Sequence, residues 1–440
     1  MVDPSFQSPV SNRAPFYYGW VQVALAAIAM TATLPGRTHG LGLITEPLIR
    51  DIGISRTSFA SINFWASLIG AAFCLPVGWM IDRRGVRLTL GLVLLGLAIS
   101  VWWMSASTGV AMFALGLLLT RGFGQSALSV VSIAMIGKWF QRRLGAAMGV
   151  FTVLLTFGFI GTTLGVGFAV QESADWRGVW RSIAVTLLVI APVLWWLTRS
   201  TPEDCGVDPD KPAEEENDGT SERDLTLSEA LRTPAFWVFV LGASMFNLVW
   251  SSVTLFNESI MAERGFEPQI AVQIMGILTG VGLIANLGSG AILTPHRIGP
   301  LLGVGMIILA IAMGTLPFTT TVWGIRLYAA GMGATGGIVT VVFFAAWAHA
   351  FGRKHLGKIQ GFAQVTSVFA SAIGPVLMAA VQARTGSYQM MFLGLSVTSI
   401  VLAGAAFLVF LPERSLLNTD LPEDELQQEV SIVTISAAEG

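Results

Sequence analysis

Apolar segments long enough to cross a lipid bilayer recur along the chain, separated by polar or basic stretches. Crossing the hydrocarbon core takes about 20 apolar residues in a helix. The pattern therefore predicts twelve membrane-spanning helices, which we number span 1 to span 12. The first six cover residues 17–48, 56–81, 87–107, 109–137, 144–170 and 178–199. The last six cover residues 234–261, 268–294, 299–317, 320–350, 356–383 and 387–411.

A longer polar stretch between spans 6 and 7 divides the helices into two groups, so the predicted fold is an all-α membrane protein of two six-helix bundles. This stretch contains the acidic run 214–218, which cannot bury apolar area and is typical of a solvated linker. Residues 224–231 have helical spacing and predict a short surface helix before span 7. The predicted units are residues 1–16 as an N-terminal segment, 17–199 as the first bundle, 200–233 as the linker, 234–411 as the second bundle and 412–440 as an acidic tail.

Composition agrees with a lipid environment. Of the 440 residues 53% are hydrophobic and 12% are charged, against about 25% charged in a soluble domain. The net charge of -2 gives no indication of nucleic-acid binding. The two cysteines, Cys74 and Cys205, have no metal-ligand spacing, and no G-x-x-x-x-G-K-[ST] loop is present to hold a nucleotide. We therefore expect no metal or cofactor, and neither a nucleotide-driven pump nor an enzyme.

Basic residues predict the orientation in the membrane. The loops 83–87, 138–143 and 353–358 are rich in Lys and Arg, and the span count puts all of them on one side. The positive-inside rule assigns that side to the cytoplasm. Both termini then face the cytoplasm, as an even number of spans requires. We expect a monomeric integral protein of the cell (inner) membrane, with the lipid bilayer as its surroundings.

The two halves repeat one another. Residues 144–149 (LGAAMG) resemble residues 356–361 (LGKIQG), and the same offset of 212 residues superposes Gly78 on Gly290. Two landmarks at one offset indicate duplicated, pseudo-symmetric halves. In transporters built this way the substrate site lies between the halves, near the midplane of the bilayer.

Span 1 contains an unusual polar stretch, Pro35 to Gly40, which includes Arg37 and His39. Cationic side chains within a membrane span are costly and usually mark a substrate or ion path. Proline and glycine loosen the helix beside them. The stretch therefore predicts a discontinuous helix that presents a cation to a water-filled cavity. The alternative is a surface loop between two short hydrophobic runs.

The turn between spans 2 and 3 carries a recognisable motif. Residues 78–87 (GWMIDRRGVR) resemble the G-x-x-x-D-R-x-G-x-R loop of the major facilitator superfamily, and the twelve spans and repeated halves extend this resemblance over nearly the whole chain. The resemblance implies that Asp82 lies near the start of span 11 and latches the halves together, with neighbouring arginines holding it. The second copy of this motif, at residues 290–297, lacks the aspartate, so its latch is expected to be degenerate. The alternative is that the basic loop only sets topology. The residues implied for a cytoplasmic gate are Gly78, Asp82, Arg83, Gly85 and Arg87.

Three further segments resemble the monocarboxylate and oxalate–formate transporter branch of that superfamily: residues 18–20 (YGW), 139–149 (WFQRRLGAAMG) and 201–206 (TPEDCG). The branch implies a small organic anion as substrate, moved with a proton or in exchange. One departure is clear. Members typically bind the carboxylate with a basic residue in span 8, whereas here span 8 has no basic residue before His296.

The resemblance also implies that Arg37 on span 1 and Arg121 on span 4 lie near mid-depth on helices that line the central cavity. Together they form an electropositive site, and the planar guanidinium suits bidentate capture of a carboxylate. Alternatively, Arg121 is structural and binds carbonyl groups of span 1 or span 5. The expected substrate-binding residues are Arg37, His39, Arg121, Gln125 and Asn257.

Glu258 is the one acidic residue clearly within a span and is a candidate for proton coupling. His39 is a second candidate, because imidazole titrates near neutral pH. Glu258 could equally pair with Arg37 or Arg326 at an outer gate, and His39 could be a neutral hydrogen-bond donor. We expect Arg326 and His349 to lie at the membrane interfaces.

The expected function is secondary active transport of a small organic anion by alternating access, coupled to protons or running by exchange. The alternative is export of a larger amphipathic or drug-like compound, for which the 26 phenylalanines and 14 tryptophans could line an apolar pocket. A membrane enzyme or receptor is disfavoured, because the sequence has no catalytic pair at workable spacing and no extracellular domain.

Overall fold

The computed structural model describes residues 17–173, 175–205, 220–222, 224–412 and 416–418, and it is almost entirely helical. In this part of the chain nine helices are long and apolar enough to cross a membrane. One of them, Ser58–Ser105, contains both span 2 and span 3. The shorter apolar helices Gly19–Thr31 and Gly276–Ile292 belong to spans 1 and 8. Every predicted span is thus helical, and the all-α membrane fold is confirmed.

The helices of the first bundle begin and end as follows: Gly19–Thr31, Thr38–Gly42 and Thr45–Ile52 for span 1; Arg56–Ala71 for span 2; Cys74–Ser105 for the end of span 2 and all of span 3; Val110–Thr120, a π-helical segment Arg121–Leu128, and Ser129–Trp139 for span 4; Leu144–Ser173 for span 5; and Trp176–Leu197 for span 6. Those of the second bundle are Pro234–Glu263, Pro268–Ile292, Ile298–Thr315, Val322–Phe351, Leu356–Thr385 and Gln389–Leu408, for spans 7 to 12 in order.

We call the end of the molecule that carries the linker and the loops after Trp139 and Phe351 the linker side, and the opposite end the far side. Span 1 runs from the linker side to the far side, and successive spans alternate in direction.

Span 1 is not one continuous helix over residues 17–48, and the break falls at the stretch singled out in the sequence. A short 3₁₀ turn, Leu34–Gly36, follows the first helix, and Arg37 is extended (φ -94°, ψ 152°). Pro35 has no N–H to donate to the preceding turn. Leu34, Pro35 and Gly36 are buried, which excludes a surface loop. A discontinuous span 1 is therefore confirmed.

Spans 2 and 3 differ from the expected helix–loop–helix arrangement. The helix Cys74–Ser105 continues through the basic motif, and its only non-helical residue is Gly85, with φ +79° and ψ 165°. Side chains other than glycine rarely adopt this positive φ. The expected loop at residues 82–86 is thus a sharp kink at one glycine, because helical hydrogen bonding continues on both sides of it.

The pseudo-symmetry of the halves is visible in two matching helix crossings at the linker side. A Cβ atom placed on Gly78 of span 2 would lie 2.3 Å from the carbonyl oxygen of Gly357 on span 11. A Cβ atom placed on Gly145 of span 5 would lie 2.6 Å from the carbonyl oxygen of Gly290 on span 8. The 212-residue offset relates one crossing to the other, so the repeat seen in the sequence corresponds to a repeat in the packing of the halves.

The linker contains the expected surface helix, at Leu227–Arg232. It begins later than residue 224 because Thr226 and Glu229 form a capping box at its start. Residues 220–222 pair antiparallel with residues 416–418 of the tail, so these parts of the linker and tail form a small two-stranded ladder. The acidic run 214–218, the N-terminal segment 1–16 and most of the tail lie outside the described residues.

Candidate functional site

The guanidinium of Arg37 lies at the break in span 1 and binds neutral groups. Its Nε donates to Thr33 Oγ1 at 3.0 Å, and its Nη2 donates to Ser129 Oγ at 2.8 Å. The ring of Phe159 lies beside it, 5.8 Å from the guanidinium carbon to the ring centroid. Among the described side chains no carboxylate lies within ion-pair distance of this half-buried arginine. Within the described residues its positive charge is therefore solvated by hydroxyl groups and has no carboxylate partner.

Arg121 is almost completely buried, with 1% of its surface exposed. Its Nη2 donates to Asn63 Oδ1 at 2.6 Å, and its Nη1 donates to the Gly36 carbonyl at 3.0 Å and to Gln125 Oε1 at 2.6 Å. The Gly36 carbonyl lies in the break of span 1, where the helical pattern of hydrogen bonds ends. Arg121 supplies a donor to this carbonyl. Its contacts therefore fit the structural alternative, in which Arg121 binds a carbonyl of span 1, better than a role as a substrate ligand.

Span 4 joins the two arginines. Its segment Arg121–Leu128 is π-helical, a local irregularity often found at functional sites. Ser129 follows this segment, donates its hydroxyl to the Gln125 carbonyl at 2.7 Å and accepts from Arg37. Arg37, Gln125 and Arg121 therefore belong to one connected group, which we call the arginine cluster together with Ser129 and Asn63.

The other predicted binding residues are not part of this cluster as described. Asn257 is half-buried near the far-side end of span 7. The side chains of His39 and Glu258 lie outside the described residues, although the backbone at both positions is helical. The structure thus brings together three of the predicted residues, Arg37, Arg121 and Gln125.

Asn63 and Ser129 are hydrogen-bond partners of the two arginines that the sequence alone did not reveal. Asn63 lies 58 positions from Arg121 along the chain, and no local pattern connects the two. Ser129 follows Gln125 by four residues, which places both on one face of a helix. That spacing could have identified Ser129, whereas the Asn63 contact depends on how spans 2 and 4 pack.

At the linker side, the Asp82 carboxylate lies across the start of span 11. Its Oδ1 accepts the amide of Gly357 at 2.9 Å, and its Oδ2 accepts the amide of Lys358 at 3.0 Å. Free amides at a helix N-terminus favour a carboxylate. The side chain is 4% exposed, and Lys138 Nζ lies 3.8 Å from Oδ1. Asp82 thus connects span 2 of the first half with span 11 of the second.

The arginines of the motif do not hold this carboxylate, contrary to the expectation. Arg83 stacks on Trp79, with 4.8 Å from guanidinium carbon to ring centroid. Arg87 stacks on Trp195 at 4.4 Å and donates to its carbonyl at 3.0 Å. The arginines therefore fasten the kink to its own half, and the cation recorded beside Asp82 is Lys138.

A second set of contacts joins the linker to both halves. Arg353, which follows span 10, pairs with Glu203 of the linker at 3.1 Å and donates to the Lys138 carbonyl. Asp224, further along the linker, accepts the amide of Lys354 at 2.9 Å. Burial lowers the pKa of His355 below its ordinary value of 6.5, which favours the neutral imidazole.

A cavity of about 620 Å³ lies between spans 1, 5 and 6, next to Leu34 and Pro35. Three threonines line it, and each donates its hydroxyl to a carbonyl of its own helix at 2.8 Å: Thr31, Thr162 and Thr186. None of the described residues that line the cavity is charged. It offers apolar contact alone and is separate from the arginine cluster.

Comparison with known families agrees with this architecture. Residues 21–375 match the family model of the Major Facilitator Superfamily. The match covers most of the chain, and the chain therefore belongs to this superfamily. Members of this superfamily move small molecules across membranes.

Individual relatives are distant. A segment of 152 residues is 26% identical to the "Probable L-galactonate transporter" of Escherichia coli K12, and it covers 33% of this chain and 32% of that protein. A segment of 192 residues is 26% identical to the "Probable transporter MCH2" of Saccharomyces cerevisiae, and it covers 42% of this chain and 39% of that protein. The matched segments thus span well under half of either relative.

Among solved structures, the crystal structure of the human organic anion transporter MFSD10 (TETRAN) has the same overall fold. The TM-score is 0.62 at 16% sequence identity, and the superposition covers 88% of this chain and 98% of that chain. At this identity the likeness concerns the fold alone. It supports two six-helix bundles and does not identify a substrate.

Proposed function

We propose that this protein is a secondary transporter of a small organic anion and that Arg37 binds the carboxylate. The observation that carries the proposal is an arginine charge inside a membrane span whose recorded partners are neutral. An uncompensated charge in such a place is costly, so a functional reason for it is expected. A bound carboxylate would neutralise the guanidinium and accept two parallel hydrogen bonds from it.

The two arginines then have different roles. Arg121 uses its donors on Asn63, Gln125 and the Gly36 carbonyl, and it holds the break in span 1 open. Arg37 follows that break directly, so the position of its guanidinium depends on the geometry Arg121 maintains. We propose Arg37 as the ligand of the anion and Arg121 as a positioning residue, with Gln125 oriented between them.

The contacts between the halves support an alternating-access cycle. The Asp82 carboxylate, Lys138 and the Gly78–Gly357 crossing all join the halves at the linker side. We infer that this state is closed on the linker side and that the arginine cluster is reached from the far side. Under the positive-inside rule the linker side is cytoplasmic, with both termini in the cytoplasm of a cell whose inner membrane holds the protein.

The residues that couple transport to protons are assigned from the sequence. Glu258 and His39 are the proposed proton-coupling groups, because a carboxylate or imidazole in a span can bind and release a proton as its surroundings change. Transport would then proceed with a proton or, with the proton retained, by exchange of one anion for another.

One of the similar proteins supports an anionic substrate, because it is named for L-galactonate, a carboxylate. The test is uptake of radiolabelled monocarboxylates and sugar acids into vesicles containing purified protein, with and without a pH gradient. The proposal requires saturable uptake whose half-saturation constant rises about ten- to a hundredfold in Arg37→Gln. Saturable transport of neutral or cationic amphipathic compounds, with none of carboxylates, would favour the export alternative.

A further inference from the structure

Span 11 carries four polar side chains three or four residues apart: Gln360, Gln364, Ser367 and Ser371. This spacing puts them on one side of the helix. We call them the polar stripe. Gly357 and Gly361 adjoin it, and Cβ atoms on them would lie 2.5 Å from the Gly78 carbonyl oxygen and 2.6 Å from the Cys74 carbonyl oxygen. The polar stripe therefore borders the contact between span 11 and the first half.

The polar stripe runs along span 11 from the gate, where Asp82 contacts Gly357, toward the level of the arginine cluster in the membrane. Gly357 meets Gly78, and Gly361, four residues later, meets Cys74, four residues earlier. Spans 2 and 11 are thus antiparallel, and moving along span 11 leads toward the level of Asn63, the partner of Arg121. Ser367, further along the stripe, accepts a hydrogen bond from Asn247 of span 7 at 2.9 Å.

Gln360 is the residue of the polar stripe nearest the gate, and its amide is unsatisfied. The residue is 1% exposed, and neither its nitrogen nor its oxygen has a hydrogen-bond partner within the described part of the chain. Burying an amide without partners costs free energy. On the closed linker side the described residues therefore give this amide no hydrogen bond.

Packing does not require an amide at this position. The 212-residue offset that relates Gly145 to Gly357 relates Met148 on span 5 to Gln360 on span 11. Met148 is fully buried. An unbranched apolar side chain of similar length thus fits the corresponding place in the other half, so Gln360 is explained better by a contact made in another state.

We propose that Gln360 is a binding subsite for the transported carboxylate on the linker-side part of its path. When the halves separate at Asp82, the Gln360 amide reaches water and donates its N–H to the anion as it moves to or from Arg37. A neutral donor binds a carboxylate less tightly than a guanidinium, so the anion does not become trapped there. This inference rests on the proposed anion transport.

The first test compares the two sides of the membrane. Gln360→Met keeps length and volume and removes the amide, and Gln382→Met makes the same change on the same helix away from the gate. Half-saturation constants are measured in vesicles of each orientation. Gln360→Met should raise the linker-side constant about tenfold, the low end for losing a hydrogen bond to a charged group. The far-side constant should match that of Gln382→Met, and the melting temperature should be equal to or above that of Gln382→Met.

An equal rise on both sides, or an unchanged linker-side constant, would overturn the subsite. A fall in melting temperature specific to Gln360→Met would also overturn it, because the amide would then have a structural partner in the closed state.

A second test needs no substrate and separates this inference from the proposed function. The variant Gln360→Cys, made together with Cys74→Ala and Cys205→Ala, is treated with a charged thiol reagent from the linker side. It should react when Asp82→Asn loosens the gate, and react at least tenfold more slowly with Asp82 intact. A thiol that stays unreactive in both backgrounds would overturn the inference. Labelling as expected, with no carboxylate bound by the wild type, would instead refute the anion proposal and leave position 360 on the path.

Discussion

Gly78 and Gly357 bring the backbones of the two halves into direct contact, since a Cβ atom on Gly78 would lie 2.3 Å from the Gly357 carbonyl oxygen. The contact sits beside the Asp82 carboxylate, which accepts the Gly357 amide at 2.9 Å. The hydrogen bond depends on the close approach, and the approach depends on the absence of side chains. Steric and polar contacts therefore hold the halves together at the linker side, as the proposed closed state requires.

Enlarging Gly78 should prevent this closure. Gly78→Ala places a methyl group against a backbone oxygen that cannot move away alone, and such overpacking costs about 1–3 kcal/mol. We expect a lower melting temperature and slower transport, measured on purified protein and in vesicles. Gly276→Ala on span 8 is the control, because nothing lies within 4 Å of a Cβ atom there. Equal behaviour of the two variants would show that the glycine crossing is not needed for closure.

Removing the charge of Asp82 should loosen the gate without unfolding the protein. Asp82→Asn keeps the size and loses one of two acceptors for the amides of Gly357 and Lys358. Each hydrogen bond to a charged group contributes about 1.5–3 kcal/mol. We expect slowed transport with normal membrane insertion, read from initial uptake rates. Arg83→Gln, whose guanidinium stacks on Trp79, should transport normally. Wild-type rates for Asp82→Asn would mean that the motif only sets topology.

The two arginines of the arginine cluster should respond differently to the same substitution. Arg121→Gln leaves the Gly36 carbonyl and Asn63 without their donor, and each buried group left unpaired costs about 1–3 kcal/mol. Its melting temperature without ligand should fall. Arg37→Gln removes a charge that has no counter-ion among the described residues, so its melting temperature should be unchanged or higher. If Arg37→Gln melted at a lower temperature than Arg121→Gln, Arg37 would be the structural residue and Arg121 the candidate ligand.

Much of the architecture follows from the sequence because membrane burial is a strong constraint. Long apolar segments predict the spans, and Pro35 and Gly36 predict the break in span 1. The two pairs of glycines at one offset predict repeated halves, and they prove to be the residues at which the halves touch. These features are local or periodic, so sequence reasoning can detect them.

The partners of the buried charges could not be predicted in the same way. Arg83 is a chain neighbour of Asp82, yet it turns to Trp79, and Lys138 from span 4 takes its place. Asn63 reaches Arg121 only because spans 2 and 4 pack at that depth. Similarly, a kink at Gly85 replaces the expected loop, because a single residue with positive φ is enough to change the direction of the helix. Such contacts depend on packing between helices, which no local pattern encodes.

Proton coupling is tested at Glu258. If Glu258 carries the driving proton, Glu258→Gln should abolish accumulation driven by a pH gradient, whereas exchange of labelled for unlabelled anion should continue because it moves no net proton. Both are measured in the same vesicles. Glu263→Gln is the control, because Glu263 accepts the hydroxyl of Ser387 at 2.6 Å at the end of the same helix. A normal gradient response in Glu258→Gln would transfer the coupling role to His39 or remove it.

The role of Arg37 is tested most directly by calorimetric titration of purified protein with a panel of carboxylates. A hydrogen-bonded charge contact contributes about 1.5–3 kcal/mol, so Arg37→Gln should bind the preferred anion about ten- to a hundredfold more weakly. Arg37→Lys should be intermediate, because a point charge replaces the planar fork. A neutral amide analogue of the anion should bind wild type and Arg37→Gln equally. Binding of the anion by Arg37→Gln as tightly as by the wild type would contradict an anion site at Arg37 and favour export of amphipathic compounds.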